Sequence, residues 1–232
     1  MNKNIVIGIE GPVGSGKTSV CRELLNIIPN SVLVNGGNIY RAIVYAILES
    51  GISLEELEVK ADEIDIKEMM DKLNVTIDFE NKETILKIGD KKILEDDLQS
   101  PLISMAVSKI SGSAKNKELF LFARNLISDL KKEHIVIVAG RSLMIIYPDL
   151  DYHFFVTASI DERVRRKCIQ YNVTPNSEEG QKIRENVITR DDLQEKSGYY
   201  KLYDNTIVID VTEAASVLES CDMVIKEIKE LN

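Results

Sequence analysis

The sequence predicts an α/β protein built on a parallel sheet, and three observations carry that prediction. Short apolar runs suited to buried strands recur at 5–9, 31–34, 135–138, 152–156 and 206–209, with helical patterns between most of them. A glycine-rich stretch at 11–18 leads from the first apolar run straight into the first helical pattern. Where the alternation breaks, three shorter strand-like runs follow one another at 74–79, 84–88 and 91–94.

Each element has its own justification. Ile5, Val6, Ile7 and Ile9 form a run apolar on both faces, as a strand covered on both sides requires. Helical spacing of Val20, Leu24, Leu25 and Ile28 predicts a helix over 17–28. Further helices are expected at 38–50, 101–111, 115–132, 159–171, 178–196 and 215–230. The last carries Val217, Leu218, Cys221, Val224, Ile225 and Ile228 as a one-sided stripe for core packing. Residues 53–73 are dense in acidic and basic side chains and read as solvated short helices. Turns at 80–83 and 89–90 separate the three short strands, which favours an antiparallel hairpin sheet inserted into the α/β core. The charged stretch 170–200, entered through the polar run 172–177, reads either as a lid that moves over bound phosphates or as a surface helix with a mobile entry loop. Arginines 163, 165, 166, 184 and 190 around it favour the lid.

Residues 11–18, Gly-Pro-Val-Gly-Ser-Gly-Lys-Thr, fit the phosphate-binding pattern G-x-x-x-x-G-K-[ST] at every fixed position. Chance places the bare pattern in a chain this long roughly once in a hundred. Gly11, Gly14 and Gly16 let the backbone wrap closely, so that the amides of the loop, Ser15 among them, point inward at an anion. The helix starting near Lys17 turns its partially positive end to the same place. Lys17 would reach the β and γ phosphates of ATP, and the Thr18 hydroxyl would hold Mg²⁺. A glycine-rich turn without a ligand needs neither Lys17 nor Thr18. Glu10, next to the loop, is a candidate acid to assist the metal.

Composition limits the partners. A net charge of −9 over 232 residues argues against nucleic acid unless a basic patch is concentrated locally. No apolar run approaches the ~18–20 residues of a membrane span, and the short N-terminal apolar run is unlike a signal peptide. Cys21, Cys168 and Cys221 are few and widely spaced, so neither a disulfide framework nor a metal-ligand spacing is expected, and a reducing cytoplasm fits best. His134 and His153 flank strands without a partner pattern and read as structural. Tyr199, Tyr200 and Tyr203 either stack on a base or cover the core.

Several residues in order along the chain resemble one family, the bacterial cytidylate kinases of the nucleoside monophosphate kinase group. They are Ile9-Glu10-Gly11-Pro12 with Gly14-Ser15-Gly16-Lys17-Thr18, Tyr40-Arg41-Ala42, Ser100-Pro101, Ala106-Val107-Ser108-Lys109, Gly140-Arg141, Ala158-Ser159 with Glu162-Arg163, Arg190-Asp191 and Ile207-Val208-Ile209-Asp210. The resemblance implies one P-loop kinase domain over 1–232, a three-layer α/β fold with a central parallel sheet. Within it lie an acceptor-binding region at 38–124 carrying the small antiparallel insert (74–94) and a helical lid at 163–200. It implies ATP-dependent phosphoryl transfer to a nucleoside monophosphate, CMP or dCMP, by a cytoplasmic monomer with Mg²⁺ and without nucleic acid or membrane partners. Arg41, Arg141 and Arg190 would contact the acceptor phosphate or the transferring group, with Tyr40 beside it. Ser108 would face the acceptor base, Lys117 would stand in for an arginine of the following helix, and Arg163 and Arg166 would close over the donor phosphates.

The chain departs from the family pattern on the acceptor side. Asn35, Ala139 and Ser142 stand where the family carries carboxylates, Gln99 stands for an arginine, and Gln194 and Ser197 follow Arg190 where Asp and Arg are usual. A site that reads a base through buried hydrogen bonds loses discrimination with such partners, so relaxed specificity, another small acceptor or a nucleotide-binding regulatory protein stay open.

Overall fold

The computed structural model describes residues 4–60, 65–98, 100, 102–103, 106–107 and 116–229, apart from the side chains of 58, 60, 66, 67, 95, 96 and 116–119. Five strands make the core of the sheet: β1 (Val6–Glu10), β2 (Ser31–Asn35), β6 (Ile135–Ala139), β7 (Tyr152–Thr157) and β8 (Thr206–Asp210). The insert supplies β3 (Val75–Glu80), β4 (Glu83–Ile88) and β5 (Lys91–Lys92). The strands run in the order β3-β4-β2-β6-β1-β7-β8, with β5 on β4. Neighbours from β2 to β8 are parallel, with Ile7 of β1 level with Ile137 and Tyr152. Helices are α1 (Lys17–Ile27), α2 (Gly36–Glu49), α3 (Leu54–Lys60), α4 (Ile66–Lys72), α5 (Glu95–Leu98), α6 (Asn116–Leu130), α7 (Leu143–Ile146), α8 (Ile160–Gln170), α9 (Glu178–Lys196) and α10 (Val217–Ile225).

Strand alternation explains the layers, because successive side chains leave a strand on opposite faces. Ile5, Ile7 and Ile9 face α1 and α10 with Leu24, Ile28, Cys221 and Val224. Val6, Val34, Val136 and Val138 face the other way, onto Ile43 and Ile47 of α2 and Ile127 of α6. All three cysteines are buried free thiols.

Two expectations change. The insert is antiparallel as expected, but it is not a separate small sheet. Leu33 of β2 pairs in parallel with Glu83 of β4, and Leu33 N–H donates to Lys82 O at 2.8 Å. The insert covers what would otherwise be the open edge of β2, a liability in a parallel sheet. The last helix ends at Ile225 rather than 230, yet Ile228 stays fully buried because the chain turns back onto the core. Most of the expected helix at 101–111 lies outside the described residues.

The segment 163–200 holds α9 against α8 with its own small apolar cluster, Val164, Cys168 and Val187, apart from the two faces of the sheet. Arg184 reaches Asp161 at 2.5 Å across the pair.

Candidate active site

The loop at 11–18 leaves β1 and enters α1 through three glycines with positive φ, at +145° for Gly11, +79° for Gly14 and +94° for Gly16. A side chain at Gly11 would put its Cβ 2.0 Å from Val156 O, so the first glycine is required for close approach as well as for conformation. Gly16 caps α1 without a side-chain partner, leaving the first amides of the helix facing the loop. The Ser15 hydroxyl is buried and has no hydrogen-bond partner among the described residues. Lys17 Nζ donates to Pro12 O at 3.0 Å. Burial first, then the nearby Arg141 and Arg190, bring the Lys17 ammonium down to about 7.

In front of the loop lies an open cleft of about 1440 Å³. Lys17, Thr18, Tyr40, Arg41, Arg141 and Arg190 all line it. Asn35 caps α2 by accepting Asn38 N–H at 3.2 Å, which places Tyr40 and Arg41 on the second turn of that helix. Arg41 is anchored by a 3.0 Å hydrogen bond to Leu98 O. Arg141 is held over the Tyr199 ring at 5.9 Å, and has no carboxylate partner among the described residues. Its burial, and then Arg190, pull its guanidinium below its ordinary range. Burial also pushes the Tyr40 phenol up, so it stays a neutral hydrogen-bonding group. Lys17, Arg141 and Arg190 converge on the cleft, an arrangement that an anion completes.

A family model for cytidylate kinase matches residues 7–230. The chain belongs to the cytidylate kinase family. Membership places it among the nucleoside monophosphate kinases. A cytidylate kinase of Caldanaerobacter subterraneus subsp. tengcongensis is 28% identical over 92% of this chain and 90% of its own length. One of Clostridium botulinum is 30% identical over 71% of this chain and 69% of its own, and one of Clostridioides difficile 27% over 93% and 94%.

Against the family pattern, the cleft brings together Lys17, Thr18, Tyr40, Arg41, Arg141, Arg166 and Arg190. Ser108 and the side chain of Lys117 lie outside the described residues. Arg163 is placed differently from the expectation that it closes over phosphates. It is only 5% exposed, and donates from Nε to Ala158 O at 3.0 Å and from Nη1 to Val13 O at 3.2 Å. Its Nη2 meets Asp191 at 2.6 Å. Arg166 lines the cleft but is also committed, to Glu162 at 2.7 Å, Ser15 O at 3.0 Å and Val211 O at 2.8 Å. Hydrogen bonds from Arg165 first, and then from Arg166, hold the Glu162 carboxyl down to about 2. The i, i+3 spacing of Arg163 and Arg166 did set them on one face of α8, but that face packs against the loop. Both arginines brace the phosphate loop from behind. Glu10, expected to assist a metal, is instead committed inside the protein, to Leu143 N–H at 2.5 Å and to His153.

Two participants had weak sequence signals. Lys167 lines the cleft, and burial, then Arg190, lowers its ammonium. Its signal was the run Arg165-Arg166-Lys167. Asp191, next to Arg190, ties α9 to the loop through Arg163, while the Tyr200 hydroxyl lies 2.9 Å from Asp191 Oδ1 and 2.7 Å from Gln194 Oε1. Asp191→Ala leaves a buried guanidinium without its charge partner, and a loss of about 2–3 kcal/mol in urea unfolding is expected. A loss under about 0.5 kcal/mol would show that the pair contributes nothing net.

Proposed function

We propose that the chain transfers the γ-phosphoryl group of ATP to a pyrimidine nucleoside monophosphate, CMP or dCMP, in the cytoplasm and as a monomer. The observation that carries this reading is the set of Lys17, Arg141 and Arg190 in one cleft, the arginines without a carboxylate partner among the described residues. Two anionic substrates supply the missing charge, and catalysis of this kind rests on positioning and electrostatics.

The loop amides and Lys17 would cradle the β and γ phosphates, and a phosphate oxygen gives the buried Ser15 hydroxyl the acceptor it lacks. Lys17 would exchange its bond to Pro12 O for those phosphates. Arg41 would hold the acceptor phosphate from α2, while Arg141 and Arg190 span the gap to the transferring group, where the planar guanidinium fork matches phosphate oxygens. Closure of 163–200 would exclude water from the cleft. For Mg²⁺ the chain offers the exposed Thr18 hydroxyl, a hard oxygen ligand beside the expected phosphates. A magnesium ion commonly takes few protein ligands and completes its shell with phosphate oxygens and water, which a single hydroxyl suits. A magnesium ion held there would supply charge neutralisation to the phosphates.

ADP release measured across CMP, dCMP, UMP, AMP and GMP tests the reading. Turnover with CMP or dCMP above the others is expected. Ala139 and Ser142, in place of carboxylates beside Arg141, favour a second reading: a nucleotide-binding protein that transfers poorly. ATP binding without ADP release for any acceptor would select it. Arg41→Ala is expected to raise the acceptor KM roughly tenfold and leave ATP affinity within about twofold, by removing a contact on one substrate alone.

Lys17 also makes ATP binding pH-dependent. With its ammonium at about 7 in the free protein, much of it is neutral at pH 8. Phosphate favours the charged form, so binding takes up a proton. Calorimetry at pH 8 in buffers of different ionisation enthalpy is expected to show uptake approaching one proton, and Lys17→Met to abolish it.

A further inference from the structure

We propose that Glu10 and His153 form a buried positioning pair that aims Arg141, a role resting on the assignment of Arg141 to the acceptor side. Glu10 is the last residue of β1 and His153 lies on the neighbouring β7. They are 2% and 0% exposed. Glu10 Oε1 accepts Leu143 N–H at 2.5 Å, and Glu10 Oε2 lies 3.1 Å from His153 Nε2. His153 Nδ1 is 2.9 Å from Thr206 Oγ1, which also accepts Tyr203 N–H at 2.8 Å. Both carboxylate oxygens and both ring nitrogens are therefore occupied inside the protein, and neither side chain lines the cleft.

The pair acts on the turn at 140–143. Gly140 N–H still reaches Ile9 O, at 3.3 Å, and then the chain leaves the sheet. Ser142 adopts φ +55°, a left-handed conformation that a side chain resists and that surrounding contacts must hold. Leu143 N–H on Glu10 is the contact on its far side. Arg141 stands between these two fixed points. Its guanidinium has no ion pair among the described residues, so its direction comes from the backbone of the turn and from the Tyr199 ring beneath it. His153 orients the carboxylate, and through Thr206 and the edge of the Tyr203 ring, 6.1 Å away, it also contacts the segment that carries Tyr199. Glu10 thus secures both supports of Arg141 without touching substrate. An arginine misplaced by about 1 Å can cost two orders of magnitude in transfer.

The test is a double-mutant cycle on the full chain, with kcat, acceptor KM and ATP Kd measured separately for wild type, Glu10→Ala, Arg141→Ala and the double variant. Glu10→Ala is expected to lower kcat/KM for the acceptor roughly tenfold while ATP Kd stays within about twofold. In the Arg141→Ala background the same change is expected to cost less than about twofold, because the group it positions is gone. Glu10→Gln should restore acceptor kcat/KM to within about threefold of wild type. Its carbonyl still accepts Leu143 N–H, and its amide donates to His153 in the other tautomer. Should Glu10→Ala fail to fold, Glu10→Met fills the volume and still leaves Leu143 N–H without an acceptor. Additive losses in the cycle, an ATP Kd that moves as far as kcat/KM, or Glu10→Gln as impaired as Glu10→Ala would each overturn the positioning role. A wild type silent with every monophosphate would overturn the kinase reading and this role together, whereas an active wild type with additive losses overturns this role alone.

Discussion

Lys17→Ala is expected to lower phosphoryl transfer by roughly a thousandfold or more while leaving the ligand-free fold as stable as wild type or more so. The two halves of that result have one cause. Lys17 is held with its ammonium down at about 7 by burial and by Arg141 and Arg190. A lysine in that state costs folding stability wherever it must carry its charge, since the unfolded chain binds the proton up to its ordinary pKa and the folded one gives it up sooner. That cost is fully present below pH 7 and disappears as pH rises towards the ordinary lysine range. Removing the side chain removes the cost and the β/γ-phosphate contact together. Thermal melts at pH 6.5 alongside single-turnover transfer would check both. A variant that melts well below wild type would mean that the bond to Pro12 O holds the loop together.

Arg141→Ala is expected to cost about a hundredfold in kcat/KM for the acceptor, with ATP Kd changed by less than about threefold. Arg141 is more buried than an arginine without a counter-charge ordinarily is, and its guanidinium is pulled down by that burial and by Arg190. Its removal therefore relieves repulsion in the empty cleft, and a small rise in Tm should accompany the lost activity. Arg141→Lys is not expected to rescue, because an ammonium offers a point charge where a planar fork is needed. Rescue by lysine would mean that Arg141 supplies charge alone. An unchanged acceptor kcat/KM would remove it from the site.

Much of the fold was legible because each strand carries a clean signal of its own. The run 135–138 became Ile135–Ala139, and 31–34 became Ser31–Asn35, since apolar residues on both faces of a parallel strand read as unbroken runs. The join between insert and main sheet was not legible. It rests on one pairing, Leu33 with Glu83, made in three dimensions across two elements that each look complete.

The site divided in the same way. The phosphate loop was readable because its chemistry concentrates four fixed positions, two of them glycine, within eight consecutive residues. Arg41, Arg141 and Arg190 lie far apart in sequence, and only the order of weak motifs linked them before the cleft brought them together. For Arg163, helical spacing gives a shared face with Arg166 but not which way that face points. Here it points inward, to Val13 O and Asp191. Glu10 and His153 are 143 residues apart, and nothing in the local pattern of either announces the other.

The central claim is that the cleft moves phosphate onto a nucleoside monophosphate. Label followed from γ-³²P-ATP tests it most directly, in the presence of Mg²⁺ and each monophosphate in turn. The account predicts labelled nucleoside diphosphate with CMP or dCMP, formed at the same rate as ADP. Label that stays in ATP, or goes only to inorganic phosphate, with every monophosphate offered would contradict it.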